Sequence, residues 1–507
     1  MRELLERQVR RAGLQNLVVL SNRTPYVFHG EEGDAATATR AVSGLVTALE
    51  PIVMACGGTW VGWAGRTAEE SRLGERVAVP AGRPAYVVRE IILSREEYNR
   101  YYHGCANDCL WPLFHCFLEK AVFDHDSWQS YVRVNRKFAE AARREAGEGA
   151  LIWVHDYHLA LVPGMLRKAG YRGKIAYFCH IPFPPLEIFS ALPWGKEILT
   201  GLLGSNLVAF HLPGYVENFL RVVEKLLGAE VSYVDGYVRW QKRKMHVRAL
   251  PIGIDYQEFD ELAREEETAR RAAEIRRHVN TERLVLSVER LDYTKGIIEK
   301  LQGIEEFLAR YPDYRGRVTF LQVAVPSRTE VQSYANLRSR VEEMVGRING
   351  QYASGWHMPV WYMFNALDRR ELVAHYRAAD IALVTPLRDG LNLVAKEFVA
   401  SRVAGDGVLV LSPFAGAAEQ LKGSLLVNPY DRVDLAGKIK KALDMPVEEQ
   451  KIRISILQQS VRRYDLKWWW RGVLSGLGWQ AEAHPENAAG SGPLAAGEFI
   501  PKQRLDG

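Results

Sequence analysis

Short, nearly continuous apolar runs punctuate this chain. They fall at residues 17–20, 151–154, 175–179 and 207–210 in the first half, and at 284–288, 318–325, 381–384, 408–411 and 425–427 in the second. Runs of this length without polar alternation predict strands of parallel sheets buried on both faces. Amphipathic stretches lie between many of them. Ile304, Phe307 and Leu308 stand at i, i+3 and i+4, one face of a helix over 304–310, and 372–379 reads likewise. Such alternation predicts an α/β chain with open sheets. The pattern breaks at Leu250-Pro-Ile-Gly-Ile-Asp255, after which a highly charged stretch predicts one helix over about 258–278. Placing the boundary there gives Rossmann-like domains at 1–250 and 251–463 with a cleft between them. A helical segment at 464–482 and a loose tail at 483–507, rich in Ala, Gly and Pro, complete the chain. Trp468, Trp469 and Trp470 lie in the helical segment and read as packing anchors.

Composition narrows this mainly by exclusion. A chain of 507 residues suffices for two to four domains. Hydrophobic residues at 47% and charged residues at 25% are ordinary globular values, which removes disorder, collagen and coiled coil as whole-chain answers. A net charge of +5 over so large a surface makes no basic stripe, so nucleic acid is not an expected partner. The five cysteines, Cys56, Cys105, Cys109, Cys116 and Cys179, are odd in number and form no disulfide framework, so a reducing cytoplasm is the expected location. Cys105, Cys109 and Cys116 lie beside His115 but lack C-x-x-C spacing, and buried thiols are expected in place of a metal site. No apolar run reaches 18 residues, so no membrane partner is expected. The N-terminus does not read as a signal peptide. The oligomeric state is left open, a homo-oligomer being compatible with all of this.

Ligands of open α/β sheets bind outside the carboxyl ends of the strands, so the residues just past each predicted strand are the candidates. In the first half these are Ser21-Asn22-Arg23, His155-Asp156-Tyr157-His158 and His180-Ile-Pro-Phe-Pro184. In the second they are Glu289-Arg290-Leu-Asp292-Tyr-Thr-Lys295-Gly296, Pro326-Ser-Arg328 and Arg388-Asp389-Gly390-Leu391-Asn392. Arg290 and Lys295, five apart around a turn, suit the clamping of a diphosphate and the charge of a departing one; alone they also read as a solvated surface pair. The backbone of Leu391, Asn392 and Leu393, before the helical run 394–400, offers N–H groups to an anion. Glu397, early in that helix, suits a sugar diol; alone it also reads as part of a solvated helix face. Asp156 and His180 read either as sugar-hydroxyl or acid–base groups, or as an N-cap and a satisfied core imidazole. His155, Asp156 and His158, at i, i+1 and i+3, do not converge easily on a metal. No G-x-G-x-x-G follows the first strand and no phosphate-binding G-x-x-x-x-G-K-[ST] loop is present, which disfavours a dehydrogenase and excludes that type of phosphoryl transfer.

Longer motifs carry a resemblance. Val19-Leu-Ser-Asn-Arg23, Gly57-Gly-Thr-Trp-Val-Gly-Trp63, Ile152-Trp-Val-His-Asp-Tyr-His158, His180-Ile-Pro-Phe-Pro184, Ser287-Val-Glu-Arg-Leu-Asp-Tyr-Thr-Lys-Gly296, Gly346-Arg-Ile-Asn-Gly350 and Val384-Thr-Pro-Leu-Arg-Asp-Gly-Leu-Asn-Leu-Val-Ala-Lys-Glu397 occur in order. Together they resemble the trehalose-6-phosphate synthase family of retaining glycosyltransferases, over about residues 17–464. The resemblance implies a GT-B fold, two Rossmann-like domains with parallel sheets facing across a deep cleft, with the last helix crossing back to the first domain. It implies transfer of glucose from a nucleotide-glucose to glucose 6-phosphate, these two being the expected partners, with no cofactor and no metal for the chemistry. Carried over by position, Arg290 and Lys295 would bind the donor diphosphate, and Glu397 the ribose. Asp389, with the backbone of Leu391, Asn392 and Leu393, would hold the donor glucose and phosphate. His180 would contact the donor sugar, Asp156 would lie at the reaction centre, and Gly44 would belong to the loop over the donor phosphate. Arg23, Tyr102, Trp111 and Arg328 would hold the acceptor, mainly its phosphate, with Trp63 beside them.

Two positions depart from the family pattern. Ser43 stands where the first Gly of a Gly-Gly pair is usual, in a loop that also looks long from Thr24 to Ala41, and Leu367 stands near the expected base pocket where Phe is common. A neighbouring reading is transfer to another phosphorylated acceptor, as in glucosylglycerol-phosphate synthases; a cyclitol-joining relative or a non-catalytic regulatory homologue are others. The full acceptor set favours a hexose phosphate, and the presence of Arg290, Lys295, Asp389 and Glu397 disfavours a non-catalytic role.

Overall fold

The computed structural model describes residues 2–28, 38–40, 44–80, 82–328 and 331–479. Ser43, most of the loop before it and the tail at 483–507 lie outside the described residues. The chain divides into two compact units. One comprises residues up to Ile252 together with the helix Leu466–Gly476, and the other runs from Gly253 to Asp465.

The first unit is built on an 11-stranded sheet. Its parallel core runs, across the sheet, Tyr86–Ser94, Thr59–Trp63, Leu17–Arg23, Leu151–His155, Lys174–Phe178, Leu207–Phe210 and Arg243–Ala249. Antiparallel strands Arg72–Val79, Tyr237–Trp240 and Glu230–Ser232 extend its margins. The continuous apolar runs are the central strands, where every residue from Leu17 to Leu20 and from Leu151 to Val154 is fully buried. Some strands without an apolar run lie toward the margins of the sheet. Arg72–Val79, for example, alternates charged and buried positions, as a strand with one wet face does. Thr59–Trp63 lies against Leu17–Arg23 because Gly62 has no side chain: a Cβ there would stand 2.9 Å from the Thr24 backbone nitrogen.

The second unit is a six-stranded, all-parallel sheet in the order Val360–Met363, Val318–Val325, Arg283–Arg290, Ile381–Val384, Val408–Leu411 and Leu425–Leu426. Alternate residues of one strand feed separate cores on its two faces: Leu284, Leu286 and Val288 one, Val285 the other. The single helix expected over 258–278 is two, Tyr256–Arg264 and Glu266–Val279, with Glu265 extended between them. The buried positions explain the break. Phe259, Leu262 and Ala263 repeat with helical spacing, as do Thr268, Ala272, Ile275 and Val279, but the step of five from Ala263 to Thr268 is out of phase. Trp469 and Trp470 are fully buried, their rings 5.0 and 5.2 Å from that of Trp153. Among the described residues no helix is long and apolar enough to cross a membrane.

Candidate functional site

Each sheet reverses its strand order once, between Leu17–Arg23 and Leu151–His155 in the first unit and between Arg283–Arg290 and Ile381–Val384 in the second. At such a switch point the loops leaving the carboxyl ends diverge and open a crevice. Arg23 and Asp156 leave the first pair of strands; Arg290, Lys295 and Asp389 leave the second.

In the second unit, Glu289 is buried against Lys300, whose Nζ lies 2.5 Å from its Oε1. Strand alternation therefore sends the next side chain, Arg290, to the other side. The turn beyond it is closed by Gly296 at φ +66°, where a Cβ would stand 2.6 Å from the Thr385 carbonyl oxygen, so only glycine fits. Asp292 sits fully buried at its start. It accepts from the Thr294 N–H at 3.0 Å, the Thr294 hydroxyl at 2.9 Å, Tyr334 at 3.1 Å and Arg328 Nη1 at 2.8 Å. Burial pushes its carboxyl up, but Arg328, Arg290 and Lys295 outweigh that and hold it well below the usual range. Lys295 reaches across to Asp389, Nζ to Oδ2 2.6 Å, and Asn392 Nδ2 donates to the same oxygen at 3.2 Å. Asn392, at φ +84°, caps the helix Leu393–Ala400 by accepting from the Ala395 N–H. Glu397 lies on that helix and accepts from the Tyr376 hydroxyl at 2.9 Å; burial raises its pKa. Leu367 packs on the same unit's core just before the helix Arg369–Ala378.

In the first unit, Arg23 lies over the Trp63 ring, its guanidinium carbon 4.0 Å from the ring centroid and 5.7 Å from that of Tyr102. Tyr102 comes from a 12-residue π-helix, Asn99–Leu110, an uncommon form concentrated at functional sites. Its ring stacks on His158, His158 touches Tyr157, and Tyr157 contacts the buried Trp111, so the expected acceptor aromatics form one chain of rings. Asp156 has φ +72° and ψ 165°, a conformation nearly reserved for glycine. It is held there by its N–H to Phe178 O at 2.7 Å and by Oδ1, which accepts from the His180 N–H at 3.2 Å. His180 Nε2 faces His155 Nδ1 at 2.9 Å, and its ring lies 5.5 Å from that of His211. Burial, then the neighbouring imidazole, holds both His155 and His180 well below the usual histidine range. His155 thus turns to His180 and His158 to Tyr102, so the His155, Asp156 and His158 triplet does not converge. Gly44 opens the helix Gly44–Cys56.

The structure brings together Arg23, Trp63 and Tyr102, and separately Lys295, Asp389 and Asn392. It groups Arg328 with Asp292 and Tyr334 in the second unit. Tyr334, Tyr376 and His211 are neighbours of the candidate residues that sequence reasoning does not single out, and Asp292 is named there only as part of its segment. Asp292 lies within one of the longer motifs; the two tyrosines carry no local signal. The thiols of Cys105, Cys109 and Cys179 are buried and raised, Cys109 to about 12.

Two doubly wound units of this kind are the architecture of the GT-B class of glycosyltransferase. The chain belongs to glycosyltransferase family 20, whose model matches residues 15–478. It is 43% identical, over 94% of its length and 97% of the relative's, to a trehalose-6-phosphate synthase of Mycobacterium avium. A UDP-forming α,α-trehalose-phosphate synthase from Burkholderia xenovorans, solved in complex with glucose-6-phosphate, is 32% identical with a TM-score of 0.84, over 92% of this chain and all of that one. An E. coli structure bound with UDP-2-fluoro glucose is 34% identical with a TM-score of 0.82, over 91% and 98%.

Proposed function

We propose that this protein transfers glucose, with retention, from a nucleotide-glucose to glucose 6-phosphate, giving α,α-trehalose 6-phosphate. The observation that carries the reading is the Lys295–Asp389–Asn392 cluster opening the helix Leu393–Ala400 at a switch point, with Glu397 one turn further on. Cations beside the start of a helix suit a diphosphate, and a carboxylate with one oxygen bonded to Tyr376 suits a ribose diol. The UDP-forming relatives favour UDP-glucose over the GDP and ADP donors. In the second unit Arg290 and Lys295 take the diphosphate, Lys295 exchanging Asp389 for a phosphate oxygen. Arg23 and the ring chain of the first unit take the acceptor phosphate and sugar. The C1–O bond to the diphosphate breaks as the acceptor oxygen bonds C1 on the same face, and the leaving phosphate oxygen takes the acceptor proton. No protein nucleophile and no metal enters this scheme. Arg290 and Lys295 stabilise the developing charge, while Asp156, in its strained conformation, and His180 position the sugars.

A product assay by mass spectrometry, offering UDP-, GDP- and ADP-glucose against glucose 6-phosphate and glycerol 3-phosphate, tests this. A disaccharide phosphate from glucose 6-phosphate is expected, and its absence with every donor defeats the proposal; glucosylglycerol phosphate alone reassigns the acceptor. Arg290→Ala is expected to raise the barrier by about 3 kcal/mol, roughly a hundredfold in kcat, as loss of an oxyanion donor does. Near-full turnover by that variant removes Arg290 from the mechanism.

A further inference from the structure

The candidate residues of the first unit stand at the carboxyl ends of its strands. At the amino ends of the same sheet lies a cavity of about 450 Å³ whose lining includes Arg167, Tyr171, Arg172, Asn206, Arg243 and Lys244. Arg167 is in the last turn of the helix Val162–Lys168, Arg172 precedes the strand Lys174–Phe178, Asn206 precedes Leu207–Phe210, and Arg243 begins Arg243–Ala249. Its volume is within the range of small-molecule sites.

Four cations meet here, and among the described residues none of them is paired with a carboxylate. Arg167 is built into the wall: Nε donates to Gly204 O at 2.9 Å, Nη1 to Tyr171 O at 2.7 Å and Gly173 O at 2.8 Å, and Nη2 to Asn206 Oδ1 at 2.7 Å. Arg243 Nη2 donates to the same Gly204 carbonyl at 2.9 Å, so two guanidinium groups converge on one oxygen. Burial and then the neighbouring Arg243 lower Arg167 to about 10. A merely structural cluster would spend its donors on the fold. Arg167 does so, but Nε and Nη1 of Arg243 and the whole Arg172 guanidinium make no hydrogen bond among the described residues. The Lys244 ammonium rests only over the Tyr237 ring.

We propose that this cavity is a second anion site, taking a small molecule that carries a diphosphate or two closely spaced phosphate groups. It is separate from the donor and acceptor residues and independent of the reaction assigned to them. Guanidinium and ammonium groups on residues that line one cavity match phosphate oxygens.

The test is calorimetric titration of the full chain with inorganic pyrophosphate at fixed ionic strength. The wild type is compared with Arg172→Glu/Lys244→Glu, which alters only exposed side chains, and with Arg290→Ala/Lys295→Ala. The wild type should bind pyrophosphate at more than one site. The Arg172→Glu/Lys244→Glu protein should lose one, its affinity falling about tenfold or more, while Arg290→Ala/Lys295→Ala should retain that site unchanged. The charge-conserving Arg172→Lys/Lys244→Arg protein should bind like wild type. Full wild-type stoichiometry and affinity in Arg172→Glu/Lys244→Glu overturns the proposal. So does no binding to the wild type, or complete loss in Arg290→Ala/Lys295→Ala with its circular dichroism unchanged.

Discussion

The two units place their candidate residues at equivalent points of two doubly wound sheets, yet prepare them by opposite means. In the second unit cations are matched in advance with carboxylates: Lys295 with Asp389, Arg328 with Asp292 and, beneath them, Lys300 with Glu289. In the first unit the groups are held by rings and by imidazoles kept neutral: Arg23 over Trp63, Tyr102 on His158, and His180 against His155. The matched set is oriented before any anion arrives, so on the proposed reading a diphosphate would meet Lys295 already fixed and take the place of Asp389 beside it. The ring set offers flat apolar faces with a polar tip, which suits a sugar more than a concentrated charge.

The sharpest way to break the contrast is Asp292→Asn. The amide keeps the shape of the carboxylate but leaves Arg328, 4% exposed, without its counter-charge. Breaking a buried pair costs about 3 kcal/mol or more, which for a unit of this size lowers the midpoint of thermal unfolding by about 6–12 °C. Asp389→Asn, at a pair whose side chains are 9% and 16% exposed, should cost less than Asp292→Asn. Calorimetric scans of the two variants check this; equal shifts would mean that burial of the Asp292 pair does not hold the second unit's set.

Much of that contrast is legible in the sequence, for a reason that also sets its bounds. Parallel strands buried on both faces give unbroken apolar runs, so each run ends where a loop begins. Arg23 and Arg290 close their strands just past those runs, and Asp156, Lys295 and Asp389 stand in the segments beyond, so the runs alone locate them. Roles beyond position come from the family resemblance. Partnerships are not legible. Tyr334 reaches Asp292 from 42 residues away, and Tyr376 reaches Glu397 from a neighbouring helix. Only packing brings such pairs together. The π-helix that presents Tyr102 leaves no periodic signature in Asn99–Leu110, and the break at Glu265 is hidden by a composition that favours helix on both sides.

A smaller effect tests the imidazole side. His155 and His180 have folded pKa values below their unfolded value of about 6.5. Below that pH the unfolded chain binds protons that the folded chain does not, so stability is present above about pH 6.5 and is lost as the pH falls. Each such histidine contributes up to about 1.4 kcal/mol per pH unit. His155→Gln removes one of them. Its thermal midpoint should therefore fall less steeply between pH 6.5 and 5.5 than that of the wild type, by about 2–4 °C per pH unit. An unchanged slope would place the acid sensitivity elsewhere.

The smallest effect decides what the ring set serves. A cation over an aromatic face at a partly exposed site is worth about 0.5–1 kcal/mol, so Trp63→Leu should raise the KM for glucose 6-phosphate about two- to fivefold. Trp63→Phe, which keeps a face for Arg23, should raise it less, and neither should change the KM for the nucleotide-glucose. That selectivity is the point, because Arg23 and Trp63 lie in the first unit while Arg290 and Lys295, proposed to clamp the diphosphate, lie in the second. If Trp63→Leu moves the donor KM and leaves the acceptor KM alone, the rings belong to the donor, and the division of labour between a charge-matched set and a ring-held set fails even though each set's geometry stands.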